Sequence, residues 1–191
     1  MFEAKTISIK ENIPESAVVI SGLDAVDPDN DSVVYTIVSG NLDNTFKIEP
    51  TTGQISLNQS PDYEHIDSYT LVVRVSDTHG LSTVQPVSIL IQNVNEKPIV
   101  KDLSFFYNQE TCIVGELVAH DPENQPVSFR IKNPDKSSGF YIDGNILKAL
   151  DHFIFHQDAY VLIVEASDHK DLTASANIRI ILVDFWPEAQ Y

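Results

Sequence analysis

Short groups of acidic residues recur where the sequence predicts that β-strands end. The first half of the chain carries four such carboxylates and the second half carries three: Glu11, Asp62, Glu64 and Glu96, then Asp121, Glu123 and Asp168. If the strands run the length of each half, the first four lie at one end of the first half, and the other three lie at the facing end of the second. Such a cluster of like charges takes up protons, pushes the halves apart or binds cations. Oxygen ligands with flexible geometry favour calcium.

Strands are expected to position these carboxylates, because apolar and polar residues alternate along much of the chain. Leu71, Val73 and Val75 alternate with their neighbours, and runs rich in Val, Ile, Thr and Tyr are separated by Pro, Gly, Asn and Asp. About seven short strands fit into each half, and no segment has the period of an amphipathic helix. The predicted fold class is therefore all-β, with a seven-stranded sandwich in each half.

The two halves repeat one pattern. The segment YTLVVRVSD ends at Asp77 and YVLIVEASD ends at Asp168, an offset of 168 − 77 = 91 residues. The segments AVDPDND and AHDPENQ begin at positions 25 and 119, an offset of 119 − 25 = 94 residues. A repeat of this length indicates a small domain duplicated in tandem rather than a helical solenoid unit.

The joint between the halves reads IQNVNEKPIV over residues 91–100. Pro98 fixes its own backbone angle φ and favours an extended residue before it, so this segment is expected to be a stiff, extended connection. We therefore expect one domain over residues 1–97 and a second over residues 98–191.

Composition excludes several classes of function. The chain has 191 residues, a formal net charge of -16 and one cysteine. The negative charge argues against nucleic acid and anionic membranes as partners, and one cysteine excludes an internal disulfide framework or a multi-cysteine metal site. We interpret Cys112 as a small buried apolar residue. No apolar stretch reaches membrane-spanning length and no signal peptide is recognisable, so an exported form would be a mature or internal fragment.

The first half resembles a cadherin repeat over nearly its whole length. The matching motifs are, in order, KEN with Glu11, DPDND, TFKIEPTTGQI, DYE, RVSD and the linker NVNEKP. The linker resembles the short bacterial form more than the animal form, which has one more residue. The resemblance implies tandem Greek-key seven-stranded sandwiches with calcium held between successive repeats. It also implies flanking repeats in a larger protein and an extracellular or cell-surface location.

The resemblance further implies a set of calcium ligands. The matching positions are Glu11, Asp62 and Glu64 at the base of the first repeat, Asn93, the Val94 carbonyl, Asn95 and Glu96 in the linker, and Asp121, Glu123 and Asp168 at the top of the second repeat. Three departures leave the number of ions at two or three. Asn93 replaces the usual Asp, Glu123 is one methylene longer than the usual Asp, and Lys97 adds a positive charge nearby.

The far end of the second half departs from the family pattern. Counted without gaps, Phe105 replaces Glu11, and Phe153 replaces Glu64. Residues 184–191, where a second linker would continue, read DFWPEAQY. We therefore expect no calcium cage at this end, and we expect at least half of its aromatic residues to pack in the core.

The sequence thus predicts a non-enzymatic, calcium-dependent structural or adhesion module, a pair of repeats that calcium makes rigid. An alternative from another class is an accessory carbohydrate-binding module of an extracellular enzyme, because bacterial cadherin-like repeats occur in such contexts. The expected partner is another protein or, in the alternative, a carbohydrate. Catalysis is disfavoured because the Asp and Glu pairs are accounted for as ligands, and the sequence contains no nucleophile elbow or metal-hydrolase motif.

Overall fold

The structure, a computed structural model, describes residues 3–133, 139–151 and 153–183. Contacts between Cα atoms divide the chain into two compact units, Met1–Val94 and Asn95–Tyr191. Within the described residues, strands predominate, and the only helical element is a 3-10 turn at Leu42–Asn44. The all-β prediction is confirmed, whereas the domain boundary after residue 97 stays a prediction. No described helix has the length and hydropathy of a membrane span.

The first unit is a seven-stranded sandwich of two sheets, as predicted. Its strands are β1 (Lys5–Lys10), β2 (Val18–Ile20), β3 (Val34–Ser39), β4 (Phe46–Ile48), β5 (Ile55–Leu57), β6 (Ser68–Ser76) and β7 (Ser82–Gln92). One sheet has the order β1-β7-β6-β3 and the other the order β2-β5-β4. Strand β1 pairs in parallel with β7, and the remaining pairs are antiparallel.

The period-two pattern of the sequence fills the core between these sheets. On β6 the side chains of Leu71, Val73 and Val75 are buried, whereas the intervening Arg74 is exposed. Because successive residues of a strand point to opposite faces, this alternation directs one face of the strand to the core. Full burial of each such side chain contributes roughly 1.5–3 kcal/mol.

The second unit repeats this arrangement with small differences. Its strands are β8 (Ile99–Val100), β9 (Leu103–Tyr107), β10 (Ile113–Glu116), β11 (Ala119–His120), β12 (Ser128–Ile131), β13 (Phe140–Asp143), β14 (Ile146–Ala149), β15 (Ala159–Ser167) and β16 (Thr173–Leu182). The sheet orders are β12-β15-β16-β9, β10-β14-β13 and β8-β11. Among the described residues it therefore has nine strands rather than seven, because the two-residue strands β8 and β11 form a small extra pair.

The parallel strand pair of each unit corrects the gapless alignment of the two halves. Ile7 pairs with Ile89 in the first unit, and Phe105 pairs with Ile180, 180 − 89 = 91 residues further on, in the second. Phe105 is therefore the counterpart of Ile7, and the offset between these strands is 105 − 7 = 98 residues. With this offset, position 109 is the counterpart of position 11. The expectation that Phe105 replaces Glu11 was wrong.

The physical reason is the length of chain up to the acidic motif, which is four residues shorter in the second unit: 121 − 109 = 12 residues against 27 − 11 = 16. The segment before the second strand, residues 11–17 in the first unit and residues 108–112 in the second, accounts for only part of this difference. Strand pairing fixes the position of Phe105 relative to Ile180, whereas the gapless alignment is counted back from Asp121. A difference in chain length between Phe105 and Asp121 therefore shifts every aligned position before that difference.

The interpretation of Cys112 as a buried residue was also wrong. Its side chain is exposed, because it lies in the segment before β10 rather than on the core face of a strand. Its carbonyl oxygen accepts a hydrogen bond from the Ala149 amide at 2.7 Å. The backbone therefore ties this segment to β14, while the thiol faces outwards.

Candidate metal centre

Glu11 is a buried carboxylate at one end of the first unit. It follows β1 directly, and it is only 2% exposed. Its Oε2 atom accepts the Tyr63 amide at 2.8 Å, and its Oε1 atom accepts the Val94 amide at 2.7 Å. Both donors are neutral backbone groups, so the carboxylate connects the loop at Tyr63 to the end of the unit.

Asp62 and Glu64 lie beside Glu11. One carboxylate oxygen from each of the three residues lies within 4.8 Å of the others. Asn93 Nδ2 donates to Glu64 Oε1 at 2.8 Å, and the His65 amide donates to Asp62 Oδ1 at 3.1 Å. The structure therefore brings together the first-unit candidates that the sequence predicts.

Like charges lie close together in this group. Two unit charges 4.8 Å apart repel by about 3 kcal/mol at an effective dielectric constant of 20. Within the described residues, no lysine or arginine forms an ion pair with Glu11 or Asp62. Three carboxylates, two of them exposed, suit a hard divalent cation such as calcium, so the residues fit the metal that the sequence predicts.

The remaining candidates lie in the second unit. Asp121 is 2% exposed and its Oδ1 atom accepts the Gln125 amide at 3.0 Å. The Glu96 amide donates to Glu123 Oε1 at 2.9 Å, so this linker residue is tied to the loop after Asp121.

Asp168 is a buried residue whose carboxylate accepts three hydrogen bonds. The Lys170 and Leu172 amides donate to its Oδ1 atom at 2.7 and 2.9 Å, and Asn95 Nδ2 donates to its Oδ2 atom at 2.5 Å. The Asp168 amide in turn donates to the Leu172 carbonyl at 3.1 Å. Burial raises the pKa of the carboxyl, but the Asn95 amide and the two backbone donors outweigh it, so this pKa lies below its usual value.

Four buried oxygens of the second unit have no hydrogen-bond partner among the described residues. They are Asn95 Oδ1, Asp121 Oδ2, Glu123 Oε2 and Gln125 Oε1. A buried polar atom without a partner costs about 1–3 kcal/mol, and more if it is charged, so four such atoms in one unit indicate a ligand that satisfies them. All four are acceptors, which is the requirement for a cation. The second set of candidates therefore also fits calcium.

Gln125 was missed by sequence reasoning. It lies four residues after Asp121, in the segment DPENQ, and its side-chain amide oxygen is one of the four. The signal was present, because amide oxygens bind calcium as carboxylates do. Attention to charge alone passed over it.

The loops that present these aspartates have the same form in both units. Asp27 Oδ1 accepts the Asp31 amide at 3.2 Å, as Asp121 Oδ1 accepts the amide four residues on. Asp77 Oδ1 accepts hydrogen bonds from the His79 and Leu81 amides, both at 2.9 Å. Asp168 Oδ1 accepts the corresponding bonds from the Lys170 and Leu172 amides. The repeated sequence motifs thus encode repeated turns, in which an Asp side chain caps the backbone that follows it.

The far end of the second unit has a different composition. In the described part of the chain, the one group of at least three His, Cys, Asp or Glu residues close enough for a metal is that of Glu11 in the first unit. Phe153 and Phe155 are half-buried, and their ring centroids are 5.0 Å apart. The predictions for Asp184, Phe185 and Trp186 lie outside the described residues.

Similar proteins were found at the level of sequence. A model of the cadherin domain family matches residues 5–92. Human Protocadherin-15 is 29% identical over 196 residues, which cover 94% of this chain and 10% of that protein. Human Protocadherin Fat 4 is 30% identical over 197 residues, which cover 91% of this chain and 4% of that protein. The chain therefore spans a tenth or less of the length of these curated relatives.

Solved structures of cadherins have the same fold. Human Protocadherin-24 EC1-2 superimposes with a TM-score of 0.68 at 22% identity, covering 95% of each chain. Drosophila N-cadherin EC1-4 gives a TM-score of 0.65 at 22% identity, covering 95% of this chain and 48% of that one. The carbohydrate-binding alternative gains no support from these similarities. Residues 5–92 are a cadherin domain, and the chain is a tandem pair of cadherin-like repeats.

Proposed function

We propose that this chain is a calcium-stiffened pair of cadherin repeats from a larger extracellular or cell-surface adhesion protein. The observation that carries the proposal is the set of buried, unpartnered acceptor oxygens in the second unit. The close group of three carboxylates in the first unit supports it independently. The first set holds like charges close together and the second holds acceptor oxygens without donors, and bound calcium would supply the positive charge and the coordination that these oxygens require.

The linker joins the two sets in sequence. Val94 is bonded to Glu11 of the first set, and the next residue, Asn95, is bonded to Asp168 of the second. Binding of calcium by both sets would therefore restrain the chain on both sides of one peptide bond. We infer that such restraint limits the bending of the joint, which makes the pair a spacer of defined geometry.

The similarity to cadherins supports adhesion to a protein partner as the function of the larger protein. The curated relatives are cadherins, and this chain matches only a small part of each. We infer that the pair sits among further repeats and has no catalytic role, because its clustered carboxylates serve the cation. Extracellular modules bind calcium at roughly 10⁻⁴ to 10⁻³ M, which suits a location outside the cell.

Calcium titration calorimetry tests the proposed site directly. Glu64→Ala should weaken binding by at least about tenfold, because it removes an anionic oxygen ligand. Glu49→Ala is the matched control, since Glu49 is an exposed residue whose side chain contacts Thr51. Equal calcium affinities for the two variants would contradict the assignment.

Small-angle scattering tests the stiffening. With a chelator the joint should sample a broad range of inter-domain distances, and near-millimolar calcium should narrow that range. Circular dichroism should change little, because the hydrophobic cores of the two sandwiches do not depend on the cation. Scattering profiles that superimpose with and without calcium would sink the proposal.

A further inference from the structure

The far end of the second unit, defined by residues 108–112, 149–151 and 153–155, lacks a close group of three carboxylates like that of the first unit. Strand pairing makes Gln109, whose side chain is exposed, the counterpart of Glu11 in the second unit. The loop that carries Asp62 and Glu64 in the first unit spans residues 58–67, and its counterpart spans residues 150–158. That loop contributes Phe153 and Phe155 instead of two closely spaced acidic ligands.

Phe155 is the centre of a cluster of aromatic rings. Its ring centroid lies 5.2 Å from Phe140, 5.0 Å from Phe153, 5.6 Å from Tyr160 and 5.8 Å from Tyr107. Three of these four contacts are edge-to-face, the geometry that favours attraction between rings. Each such pair contributes about 0.5–1.5 kcal/mol beyond the burial of its area.

The first unit has only part of this arrangement. Phe46 and Tyr69 form an edge-to-face pair with centroids 4.9 Å apart, and Phe140 and Tyr160 form the matching pair at 5.4 Å. Both pairs join the first residue of one short strand to the second residue of a long strand. Of the additional rings in the second unit, Phe153 and Phe155 come from the far end and Tyr107 from the end of β9.

Gly139 provides the space for one of these rings. A Cβ atom at this position would lie 2.5 Å from the Phe153 ring, and the φ angle of +123° disfavours any other residue. The residue before the matching strand of the first unit is Thr45, whose hydroxyl donates to the Leu42 carbonyl at 2.9 Å. A hydrogen-bonded threonine in one unit thus corresponds to a glycine covered by an aromatic ring in the other.

We infer that the aromatic cluster centred on Phe155 holds the far end of the second unit in place of a cation, so that the local stability of this end does not depend on calcium. The cluster is apolar and buries its rings against the core, whereas the first unit presents three charges that repel one another. The contrast with the first unit rests on the proposed function, but the role of Phe155 does not.

Hydrogen exchange on the full chain, in calcium and in chelator, separates the two ends. The reporters in the second unit are the Ala149, Leu150 and Phe153 amides, which donate to Cys112, Gly139 and Leu150. Those in the first unit are the Asn12 and Ile66 amides, which donate to Pro61 and Asp62. Calcium should slow exchange of the first-unit reporters by about tenfold and leave the second-unit reporters unchanged within about twofold.

Phe155→Leu supplies the positive test of the cluster. This variant keeps an apolar side chain and removes the ring contacts, so the second-unit reporters should exchange about tenfold faster in calcium and in chelator alike. Ile154→Ala is the matched control, because Ile154 is the adjacent residue and is 71% exposed. Phe153→Leu, at the edge of the cluster, gives a milder version that preserves folding if Phe155→Leu does not.

The outcomes distinguish this inference from the proposed function. If calcium protects the second-unit reporters as strongly as those of the first unit, or if Phe155→Leu and Phe153→Leu behave like Ile154→Ala, the inference is overturned. If calcium protects neither end while the Phe variants accelerate exchange, the proposed function fails and the role of the cluster stands.

Discussion

Glu11 and Glu165 are two carboxylates with the same burial and opposite surroundings. Each is 2% exposed. Glu165, on β15, forms an ion pair with Lys132, with Nζ 2.7 Å from Oε2, and its Oε1 atom accepts a hydrogen bond from Arg130 Nε at 2.6 Å. Glu11 receives only backbone amides and lies beside two further carboxylates.

The difference separates a structural carboxylate from a candidate metal ligand. Burial of a charge is tolerated when partners compensate it, and Glu165 has two cationic partners, Arg130 on the neighbouring strand β12 and Lys132 directly after it. Glu11 and Asp62 accept hydrogen bonds but form no ion pair with a Lys or Arg of the described residues, and we propose that a cation from solution balances them. Burial alone would have marked both residues equally, and the sign of the neighbouring charges decides between them.

The largest effect is expected for Glu11→Ala. It removes an acceptor from the Tyr63 and Val94 amides and a ligand from the carboxylate group, so the first unit should lose about 2–4 kcal/mol of stability in calcium. Calcium affinity should fall as well. Chemical unfolding in calcium and in chelator, with calorimetry, measures both quantities. A variant with unchanged calcium affinity would show that Glu11 is structural, like Glu165.

A smaller effect is expected for Glu165→Gln. Loss of the charge leaves Lys132 and Arg130 without a partner, although both side chains are largely exposed and can be solvated. The melting temperature should fall by about 5 °C, equally in calcium and in chelator, and calcium affinity should not change. A calcium-dependent difference in melting temperature would break the comparison, because it would couple Glu165 to the metal.

The pH dependence of this same variant should be smaller than that of the natural chain. Hydrogen bonds from Lys132 and Arg130 hold the pKa of Glu165 below its usual range. Because the folded pKa is the lower one, the stabilisation is present above the unfolded pKa of about 4.3 and is lost as pH falls through the folded value. In chelator, the difference in stability between the natural chain and Glu165→Gln should therefore shrink as pH falls below about 4. A difference that is constant with pH would contradict this pairing.

The smallest effect is expected for an exposed ion pair. Lys148 Nζ and Asp143 Oδ2 are 2.6 Å apart at the surface of the second unit. Solvent screens such pairs, so Asp143→Asn should change the melting temperature by less than about 2 °C. A shift as large as that of Glu165→Gln would show that burial does not predict which carboxylates contribute to stability.

Sequence reasoning reached much of the fold because its signals are local. The period-two runs around Leu71 and Val73 direct one strand face to the core, and this requires no knowledge of the partner strands. The repeated DPDND and DPENQ motifs likewise produce the same Asp-capped turns wherever they occur. These features depend on residues within a few positions of one another.

Other features depend on distances that no local pattern encodes. The number of residues between β9 and Asp121 decided that Gln109, and not Phe105, is the counterpart of Glu11, and only strand pairing revealed that shift. The exposure of Cys112 also depends on where that segment leaves the sheet.

The sequence by itself determined the all-β class, the duplication and the acidic residues that could bind a cation. Only the tertiary structure decided which carboxylates lie together and which acceptors lack donors. Composition counts Glu11 and Glu165 alike, but one packs against backbone amides and the other against two cations. The physical reason is that charge compensation depends on through-space distances of a few ångströms, and folding sets these between residues far apart in the chain.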